Sequence, residues 1–589
     1  MVILFTLSQL ELTGAEVYAI EIIERLIEKG HTCYIMSDTL HLETGAKYIQ
    51  VKFNKRKIWN RIYQIIFLVR FIKKNKVQII HAHSRASGWV SYFASRICGI
   101  PLVTTVHGML HVHLSSKLIK VFGDYIFAIC ENVVEHLKRD FNVPPSKIEL
   151  LRNPVTILKI NSPELTSGKT IGIITSRLTG PKGEVIYQLL ENIVGRINAK
   201  IIVMGAGNIP DRFKKFVNEG VEFWGQVRDL KDLLEKMIKF DVIVGSGRIA
   251  IKSIMLGKPT IAVGEMKSIG YVNFANINEC LKSNFADVDR VKNFDWDKVV
   301  NDIKFSLSSE GIDPDLREIV SKEYDPVRII GRIESVYTSL IIRKMRREIP
   351  ILAYHRIVKD KKEAGKHGIY VTLDQFKKHM KFLADHGFKT ITFKDLENID
   401  RTNLEEKYII LTFDDGYEDN YTLAFPVLKK YGFKAVIFLV SDLEYNIWDM
   451  PSGEPKVKLL TLEQCLEMKE YGIEFGSHGR YHRDLTGLSV REIEDEVFNS
   501  KSILEERLGS EILSFCYPYG KVNNVVKELV KKAGYKYGVA TDSGPVVLHE
   551  DWYQIRRILI FPNTTTRRFS RKVRGDYTFK KAGKIWNFK

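Results

Sequence analysis

The chain lacks the features that mark secreted, membrane-spanning or disulfide-stapled proteins. Its six cysteines are scattered and form no C-x-x-C pair, which excludes a disulfide framework or a zinc ribbon and favours a reducing compartment. There is no apolar run of about 18 residues, and the best candidate, 62–72, contains Arg70. The first residues lack the basic stretch and long apolar run of a signal peptide. These absences predict a soluble cytoplasmic protein, which can also associate peripherally with the inner face of the membrane.

Acidic residues are in deficit, which leaves a formal net charge of +18. A basic chain attracts polyanions, but no helix-turn-helix, zinc finger or aromatic RNA-binding strand accompanies the charge, so nucleic acid is not an expected partner. Sugar nucleotides, lipid diphosphates and anionic lipid headgroups satisfy the same electrostatics. Charge alone does not choose among these three.

The order of apolar and amphipathic stretches predicts the domain organisation. At 589 residues the chain is too long for one core. Apolar β-rich runs alternate with stretches of helical spacing over about 1–160 and again over 168–325, with a last helix returning to about 343. Continuous apolar strands separated by helices indicate parallel sheets covered on both faces. The region 1–343 therefore reads as two Rossmann-like, doubly wound lobes.

The remaining chain follows a basic linker at 344–348. Strand–helix alternation over 349–565 is typical of a (β/α) barrel, complete or partial, so the fold class is α/β throughout. The last stretch, 566–589, mixes basic residues with Phe569, Tyr577 and Trp586. It is either a solvated tail or a segment that binds an anionic membrane surface.

Two adjacent carboxylates, Asp414 and Asp415, close an apolar strand in the segment TFDDG. Barrel enzymes carry their chemistry at the carboxyl ends of strands, and adjacent residues of an extended chain point in opposite directions. One aspartate can therefore bind a metal while the other faces a substrate water. The alternative is an Asp-rich turn ended by Gly416.

Two histidines, His478 and His482, follow another apolar strand in the segment SHGRYH. Histidines four residues apart can face one metal from a single turn or tight loop. With Asp415 they make a three-ligand set that leaves coordination open for water, as catalytic zinc sites do. The sequence thus predicts a divalent metal, with zinc as the expected ion.

Three ordered motifs resemble those of the polysaccharide deacetylases of the NodB-homology group, the family-four carbohydrate esterases. TFDDG matches the first motif, HGRYH the second with Gly479 in the tolerant place, and YPYG, at 517–520, the end of the third. The resemblance covers about 349–565. It implies that Asp414 is the general base, that Asp415, His478 and His482 bind the metal, and that the backbone N–H of Tyr519 helps to bind the oxyanion.

The segment Tyr354-His355-Arg356 resembles the subgroup whose last motif is permuted to the front, which makes His355 the candidate general acid. A capped histidine at the barrel bottom is the alternative. Many members have an arginine two residues before the proline of the third motif, where this chain has Cys516. Arg556 or Arg557 is the candidate replacement.

In the N-terminal region, Thr13 and Glu16 have the spacing of a capping box around Gly14. Gly14 then lies in the first turn of a capped helix, in a turn that faces the substrate, or in a turn that does both. Arg177 and Lys182 follow the first strand of the second lobe, where cations can hold a diphosphate or lie solvated on the surface.

These lobes resemble the retaining glycosyltransferases of the GT-B fold, in the large family-four group. The matching features are the TGAE turn, IIHAHSR, TTVHG, the SRL…KG element and the run ending in LGKP. The resemblance implies that Gly14, Arg177 and Lys182 bind the donor and that His107 lies near the transferred sugar, although a satisfied strand-end histidine is the alternative. Lys252 stands where the family has the glutamate that holds the donor ribose, and a charged lysine cannot accept hydrogen bonds.

The sequence therefore predicts a bifunctional enzyme of bacterial surface polysaccharide or glycolipid synthesis. One half transfers a sugar from a nucleotide sugar, and the other deacetylates an N-acetylhexosamine in a lipid-linked or polymeric glycan. The alternative keeps the deacetylase and treats the lobes as a noncatalytic module that binds sugar nucleotides or glycans. A nucleic-acid binder has only the net charge in its favour.

Overall fold

The computed structural model describes residues 1–112, 121–158, 169–207, 209–227, 229–309, 311–345, 348–402, 404, 406–575 and 577. The chain divides into two compact units, Met1–Tyr337 and Thr338–Lys589. Mostly parallel sheets flanked by helices make up both units, so the predicted α/β fold class is confirmed. Among the described helices, none combines the length and apolar character needed to cross a bilayer.

The first lobe is a seven-stranded parallel sheet with helices between its strands. Its strands are β1 Val2–Thr6, β2 Thr32–Ser37, β3 Lys47–Gln50, β4 Ile79–Ala82, β5 Leu102–Val106, β6 Tyr125–Ala128 and β7 Ile148–Leu150. The described helices are α1 Gly14–Glu28, α2 Ile58–Lys74, α3 Arg85–Cys98 and α4 Glu131–Phe141. The strand order β3-β2-β1-β4-β5-β6-β7 reverses between β1 and β4, where doubly wound sheets open a ligand crevice.

The second lobe repeats this pattern with six strands. They are β8 Thr170–Arg177, β9 Lys200–Ala206, β10 Glu222–Gly225, β11 Val242–Gly245, β12 Thr260–Val263 and β13 Ser268–Tyr271. Its order is β10-β9-β8-β11-β12-β13, and the pair β12–β13 is antiparallel. The helices are α5 Gly180–Ile193, α6 Lys214–Asn218, α7 Leu230–Met237, α8 Gly247–Met255, α9 Ile277–Lys282, α10 Trp296–Ser306 and α11 Pro314–Glu323. The sheet positions α8 beside the mouth of the lobe, where it carries Lys252.

The long helix α12, Pro326–Met345, contains the division between the two units. The predicted linker at 344–348 begins inside this helix, and residues 346 and 347 lie outside the described ranges.

The C-terminal unit is a parallel sheet that curls into a barrel. Its strands are β14 Ile351–Tyr354, β15 Arg356–Val358, β16 Tyr370–Thr372, β17 Phe388–Thr390, β18 Lys407–Phe413, β19 Val436–Leu439, β20 Glu474–Ser477, β21 Ser514–Cys516, β22 Tyr537–Val539 and β23 Ile558–Leu559. The order is β22-β21-β20-β19-β18-β14-β23. Ile558 pairs with Leu352, and Ile555 just before it bridges to Val539, so the segment 555–559 connects the two sheet edges.

Helices α13 Leu373–Asp385, α14 Phe393–Leu396, α15 Phe425–Tyr431, α16 Leu462–Tyr471, α17 Val490–Glu494, α18 Ser500–Leu508, α19 Asn524–Lys532 and α20 Thr566–Lys572 belong to this unit. The start of the predicted tail is folded, because Phe569 of α20 is buried and stacks on the ring of His379 with centroids 4.1 Å apart. Phe569 is therefore a core residue and not part of a free tail. Residues 576 and 578–589 of that segment lie outside the described ranges.

Candidate functional site

Asp414 and Asp415 lie at the carboxyl end of β18, inside the barrel mouth, and both side chains are buried. The backbone N–H of Asp414 donates to the carbonyl of Tyr354 at 3.0 Å and so continues the β ladder. Asp415 has φ 73°, a left-handed conformation that non-glycine residues rarely adopt. The chain turns sharply there, and the two carboxylates meet different partners. This strained turn, and not strand alternation, separates the two aspartates.

Asp415, His478 and His482 come together, as the motif spacing predicts. The Nε2 atoms of His478 and His482 each lie 3.3 Å from Oδ1 of Asp415. His478 Nδ1 donates to the carbonyl of Cys516 at 2.7 Å, which leaves its Nε2 lone pair directed at the cluster. Burial alone would raise the pKa of Asp415, but the neighbouring imidazoles of His478 and His482 outweigh it and hold that pKa well below its usual range.

The donor set fits a divalent cation. One atom from each of Asp415, His478 and His482 lies within 4.8 Å of the other two, and all three residues are buried. Among the described residues, His482 Nδ1 has no hydrogen-bond partner. Two imidazole nitrogens and one carboxylate oxygen are ligands that zinc accepts, and three protein ligands leave a position for water or substrate.

Arg557 holds the carboxylate of Asp414. Its Nη1 and Nη2 atoms lie 2.6 and 2.8 Å from the two oxygens of Asp414, which is a bidentate contact. The guanidinium is fully buried and also donates to the carbonyl of Ala540 and to Oγ1 of Thr412. Although burial would raise the pKa of Asp414, the charge of Arg557 lowers it below the usual value. The carboxylate is therefore ionised and fixed in orientation.

The departure at Cys516 is compensated from another strand. Arg557 Nη2 lies 3.2 Å from Sγ of Cys516, so the arginine enters from β23 and reaches the position that a third-motif arginine would serve. Arg556, the other candidate, instead donates to the carbonyl of Gly544 at 3.0 Å. Arg557 is the arginine of this site, and the sequence alone could not choose between the two.

His355 approaches Asp414 from the end of β14. Its Nε2 atom lies 3.5 Å from Oδ2 of Asp414, and its carbonyl accepts from Nδ2 of Asn420 at 2.9 Å. His355 is therefore part of the same constellation and not a histidine at the barrel bottom. The ring remains partly exposed, which leaves it accessible to a substrate.

Buried Glu496 shapes the loop that carries the two histidines. Its Oε2 accepts from the backbone N–H of Arg480 at 2.8 Å and of Tyr481 at 3.0 Å. Gly479 has φ 84°, and a Cβ there would come within 2.9 Å of that same oxygen. Glycine adopts this backbone conformation without strain, and a side chain here would have to displace the Glu496 carboxylate.

Aromatic rings flank His482. Trp448 stacks on its imidazole with centroids 4.5 Å apart, and Tyr519 meets it edge-on at 4.7 Å. Tyr519 has φ 59° in the turn after β21, and its side chain is half exposed. Sequence reasoning identified Tyr519 but missed Trp448 and Glu496, since neither lies in a motif.

The N-terminal unit contains a cleft of about 1260 Å³ lined by both lobes. Gly14 and His107 contribute from the first lobe, and Lys182 and Lys252 from the second. Arg177 ends β8 and is not among the lining residues. Three of the four predicted donor-binding residues thus share one cavity.

Several polar groups of the cleft already have protein partners. Lys182 Nζ lies 2.9 Å from Oδ2 of Asp287, and His107 Nε2 lies 3.3 Å from Nδ1 of His83. Burial lowers the pKa of His107 to about 3, so the ring is neutral. The N-cap of α1 is only half of a capping box, because Oγ1 of Thr13 accepts from the N–H of Glu16 while the Glu16 carboxylate accepts from His41 and Leu42.

Lys252 lies on α8 one turn after Arg248 and is buried. Arg248 forms an ion pair with Glu21 of the first lobe and donates to the carbonyl of Pro154 at 2.9 Å. Burial, followed by the nearby charge of Arg248, lowers the pKa of Lys252 to about 7. Near neutral pH part of the Lys252 population is an uncharged amine, which can accept a hydrogen bond.

Two family models match the chain. Residues 401–538 match the polysaccharide deacetylase model, and residues 12–157 match the model of glycosyltransferase family 4. YxkH of Bacillus subtilis, named as a polysaccharide deacetylase, is 33% identical over 224 residues, which are 38% of this chain and 75% of YxkH. The poly-β-1,6-N-acetyl-D-glucosamine N-deacetylase of Staphylococcus epidermidis is 26% identical over 232 residues, which are 38% of this chain and 78% of that protein.

Among solved structures, a glycosyltransferase from Rickettsia africae is similar over 58% of this chain and 98% of its own, with 20% identity and a TM-score of 0.46. The sequence motifs, the barrel site and the match to YxkH agree with one another. Through its C-terminal unit the chain belongs to the polysaccharide deacetylase family, and residues 12–157 of its N-terminal unit match the model of glycosyltransferase family 4.

Proposed function

We propose that the C-terminal unit hydrolyses the N-acetyl group of an N-acetylhexosamine residue in a glycan, with a divalent metal held by Asp415, His478 and His482. The observation that carries the proposal is the convergence of the two histidine Nε2 atoms on Oδ1 of Asp415, beside an Asp414 fixed by Arg557. An ion in that position, with zinc as the expected metal, would polarise the amide carbonyl and acidify a water.

The residues of the chain supply the proton transfers and the stabilisation of the oxyanion. Ionised Asp414 takes the proton of the attacking water, while Arg557 keeps its carboxylate in place. The backbone N–H of Tyr519 donates to the oxygen on which negative charge develops. His355 gives a proton to the departing amine, so that one amide and one water become one amine and one acetate.

The poly-β-1,6-N-acetylglucosamine deacetylase similarity suggests the first substrate to try. Oligosaccharides of β-1,6-linked N-acetylglucosamine present the amide on a flexible polymer, and released acetate reports turnover directly. Chitooligosaccharides, which differ in linkage, test whether the linkage matters.

The roles of the two aspartates are separable. Asp414→Asn should keep the metal but lower turnover by about 10²–10⁴, the usual contribution of a general base. Asp415→Asn should lose metal and activity together. The matched control is Asp374→Asn, an exposed aspartate of α13. Equal loss of metal in Asp414→Asn and Asp415→Asn would contradict these assignments.

We propose further that the N-terminal unit is a retaining glycosyltransferase whose cleft takes a nucleotide sugar, and that both units serve one pathway of surface polysaccharide or glycolipid synthesis. The two-lobe cleft that contains Gly14, His107 and Lys182 supports this. Arg177, outside the lining, would need to reach the diphosphate from the end of β8. The noncatalytic binding module remains the competing function because Lys252 replaces a ribose-binding glutamate.

Calorimetry with common nucleotide sugars, followed by product analysis, distinguishes an active glycosyltransferase from a noncatalytic binding module. Lys182→Ala should weaken binding about 10–100-fold, since a charge-assisted hydrogen bond contributes roughly 1.5–3 kcal/mol. Lys231→Ala, an exposed lysine of α7, is the control. Binding without any sugar transfer would favour the noncatalytic module, and no binding would reject both.

A further inference from the structure

Helix α2 in the first lobe presents an apolar face to solvent. Its inner face packs on the lobe through Leu68 and Ile72, which are buried. The outer face, as we call it below, consists of Ile58, Trp59, Ile62, Tyr63 and Ile66. Trp59 is 78% exposed and Tyr63 is 71% exposed. Contiguous exposed apolar surface of this kind marks an interaction site and is not the normal scatter of single residues.

The outer face is one stripe. Ile58, Ile62 and Ile66 are spaced four residues apart, and Trp59 and Tyr63 lie beside them with the same spacing, so all five share one side of the helix. The helix has 17 residues and is about 25 Å long.

Basic residues border the outer face at both ends. Lys55, Arg56 and Lys57 precede the helix, and Arg70, Lys73 and Lys74 occupy its last turns, all of them exposed. In the described part of the chain, none of these six side chains forms an ion pair with a carboxylate. The sequence contains no Asp or Glu between Glu43 and Asp124, and the carboxylate of Asp38, which accepts from the N–H of Asn54 at 2.8 Å, lies near the first basic group. The six basic residues still outnumber it, so the potential of this region is positive.

We infer that the outer face of α2 docks the protein on the surface of an anionic lipid bilayer. Tryptophan and tyrosine favour the boundary between acyl chains and headgroups, isoleucines enter the acyl region, and flanking lysines and arginines pair with lipid phosphates. The helix lies in the plane of the surface, since α2 is anchored to its lobe along the other side. The docking does not depend on either proposed activity.

Other occupants fit the same surface less well. Nucleic acid would use the basic residues but leaves the isoleucine stripe without a partner. A second copy of the chain would cover the stripe, but a two-fold axis would bring two basic borders together. Only a surface that is anionic outside and apolar beneath satisfies both features.

The test is sedimentation of full-length protein with vesicles of phosphatidylcholine alone and of phosphatidylcholine with about 30% phosphatidylglycerol. The expected result is binding to the anionic vesicles that weakens with salt, because the basic border acts through screened charges. Trp59→Ala/Tyr63→Ala should lower the partition coefficient at least tenfold. The control is Phe305→Ala/Val327→Ala, two exposed apolar residues elsewhere in this unit.

The charged border is tested separately. Arg56→Gln/Lys57→Gln should reduce partitioning about fivefold per residue, while Lys531→Gln/Lys532→Gln, an exposed pair on α19, should leave it unchanged. All substitutions are at exposed positions, and unchanged thermal unfolding confirms that the variants are folded. Unaltered vesicle binding by Trp59→Ala/Tyr63→Ala would overturn the inference in favour of the basic C-terminal segment. The inference would also be overturned if the parent protein did not bind vesicles but formed a dimer or bound nucleic acid, and Trp59→Ala/Tyr63→Ala lost that property.

Discussion

Arg557 contacts Asp414 from a position outside the third motif. It reaches Asp414 with two hydrogen bonds of 2.6 and 2.8 Å, where the third motif offers only Cys516. Nothing in the local sequence distinguishes Arg557 from Arg556, because the choice depends on which side chain points into the barrel. Closure of the sheet by β23 makes that choice.

Replacing Arg557 by lysine keeps the charge but removes the planar fork that binds both oxygens of Asp414. We expect Arg557→Lys to lower kcat for acetate release about 10–100-fold, in line with the loss of one charge-assisted hydrogen bond. KM and metal content should change little, since Arg557 does not contact the predicted ligand set. Arg556→Lys is the matched control. A large loss of metal in Arg557→Lys would contradict this division of roles.

Lys252 couples the stability of the N-terminal unit to pH. Its pKa falls from 10.5 to about 7, so between these values the unfolded chain holds a proton that the folded chain lacks. The stability of this unit therefore rises with pH between about 7 and 10.5, and below pH 7 it carries the full penalty of roughly 5 kcal/mol.

Lys252→Met should accordingly raise the free energy of unfolding of the N-terminal unit at pH 6–7 and have a smaller effect at pH 10. Urea unfolding at several pH values measures this, with Lys231→Met as an exposed control. A stabilisation of the same size at every pH would show that burial of charge is not the cause.

At the scale of elements, the loop between His478 and His482 is held by the carboxylate of Glu496, which lies outside the loop. Glu496 accepts two backbone N–H groups of this loop, and a Cβ at Gly479 would come within 2.9 Å of the same carboxylate. Partners of this kind orient metal ligands, and removing them commonly costs about 10–100-fold in metal affinity.

We therefore expect Glu496→Gln to weaken zinc binding by about that factor, because an uncharged amide oxygen accepts the two N–H groups more weakly than a carboxylate oxygen does. Competition with a chromophoric chelator measures the affinity. Glu494→Gln, an exposed neighbour on α17, should bind zinc like the parent. Equal zinc affinities for the parent, Glu496→Gln and Glu494→Gln would show that Glu496 does not orient the metal ligands.

The strands that the sequence did not predict lie at the edges of sheets or in the separate two-stranded sheet of β15 and β16. The apolar runs of the first lobe correspond to strands, whereas β3 was missed because Lys47–Gln50 is a largely exposed edge. β13, β15, β16 and β23 are each two to four residues long and give no periodic signal. Their pairing is set by tertiary contacts, which periodicity does not contain.

The dependence on tertiary contacts also explains which residues of the site the sequence identified. Asp414, Asp415, His478 and His482 stand in short motifs at strand ends, so parallel topology alone brings them to one edge. Glu496 and Trp448 come from loops and helices with no motif, and only the packed structure brings them to His482. The left-handed turns at Asp415, His482 and Tyr519 are likewise invisible in sequence, since non-glycine residues give no sign of them.

At the scale of the whole molecule, each proposed site lies within a single unit. The ligand set and Asp414 lie in Thr338–Lys589, and the cleft lies in Met1–Tyr337. Lys182→Ala is therefore expected to leave acetate release unchanged, and His482→Ala to leave nucleotide-sugar binding unchanged. Assaying both variants for both properties checks this, and a cross effect larger than about twofold would mean that the two sites are coupled.

The most direct test of the central claim is acetate release from β-1,6-linked N-acetylglucosamine oligosaccharides by full-length protein, measured with its metal content before and after chelation. The account predicts one divalent ion per chain, loss of activity when that ion is removed, recovery when zinc is returned, and neither metal nor recovery in His482→Ala. Undiminished acetate release by metal-free protein, or by metal-free His482→Ala, would contradict it.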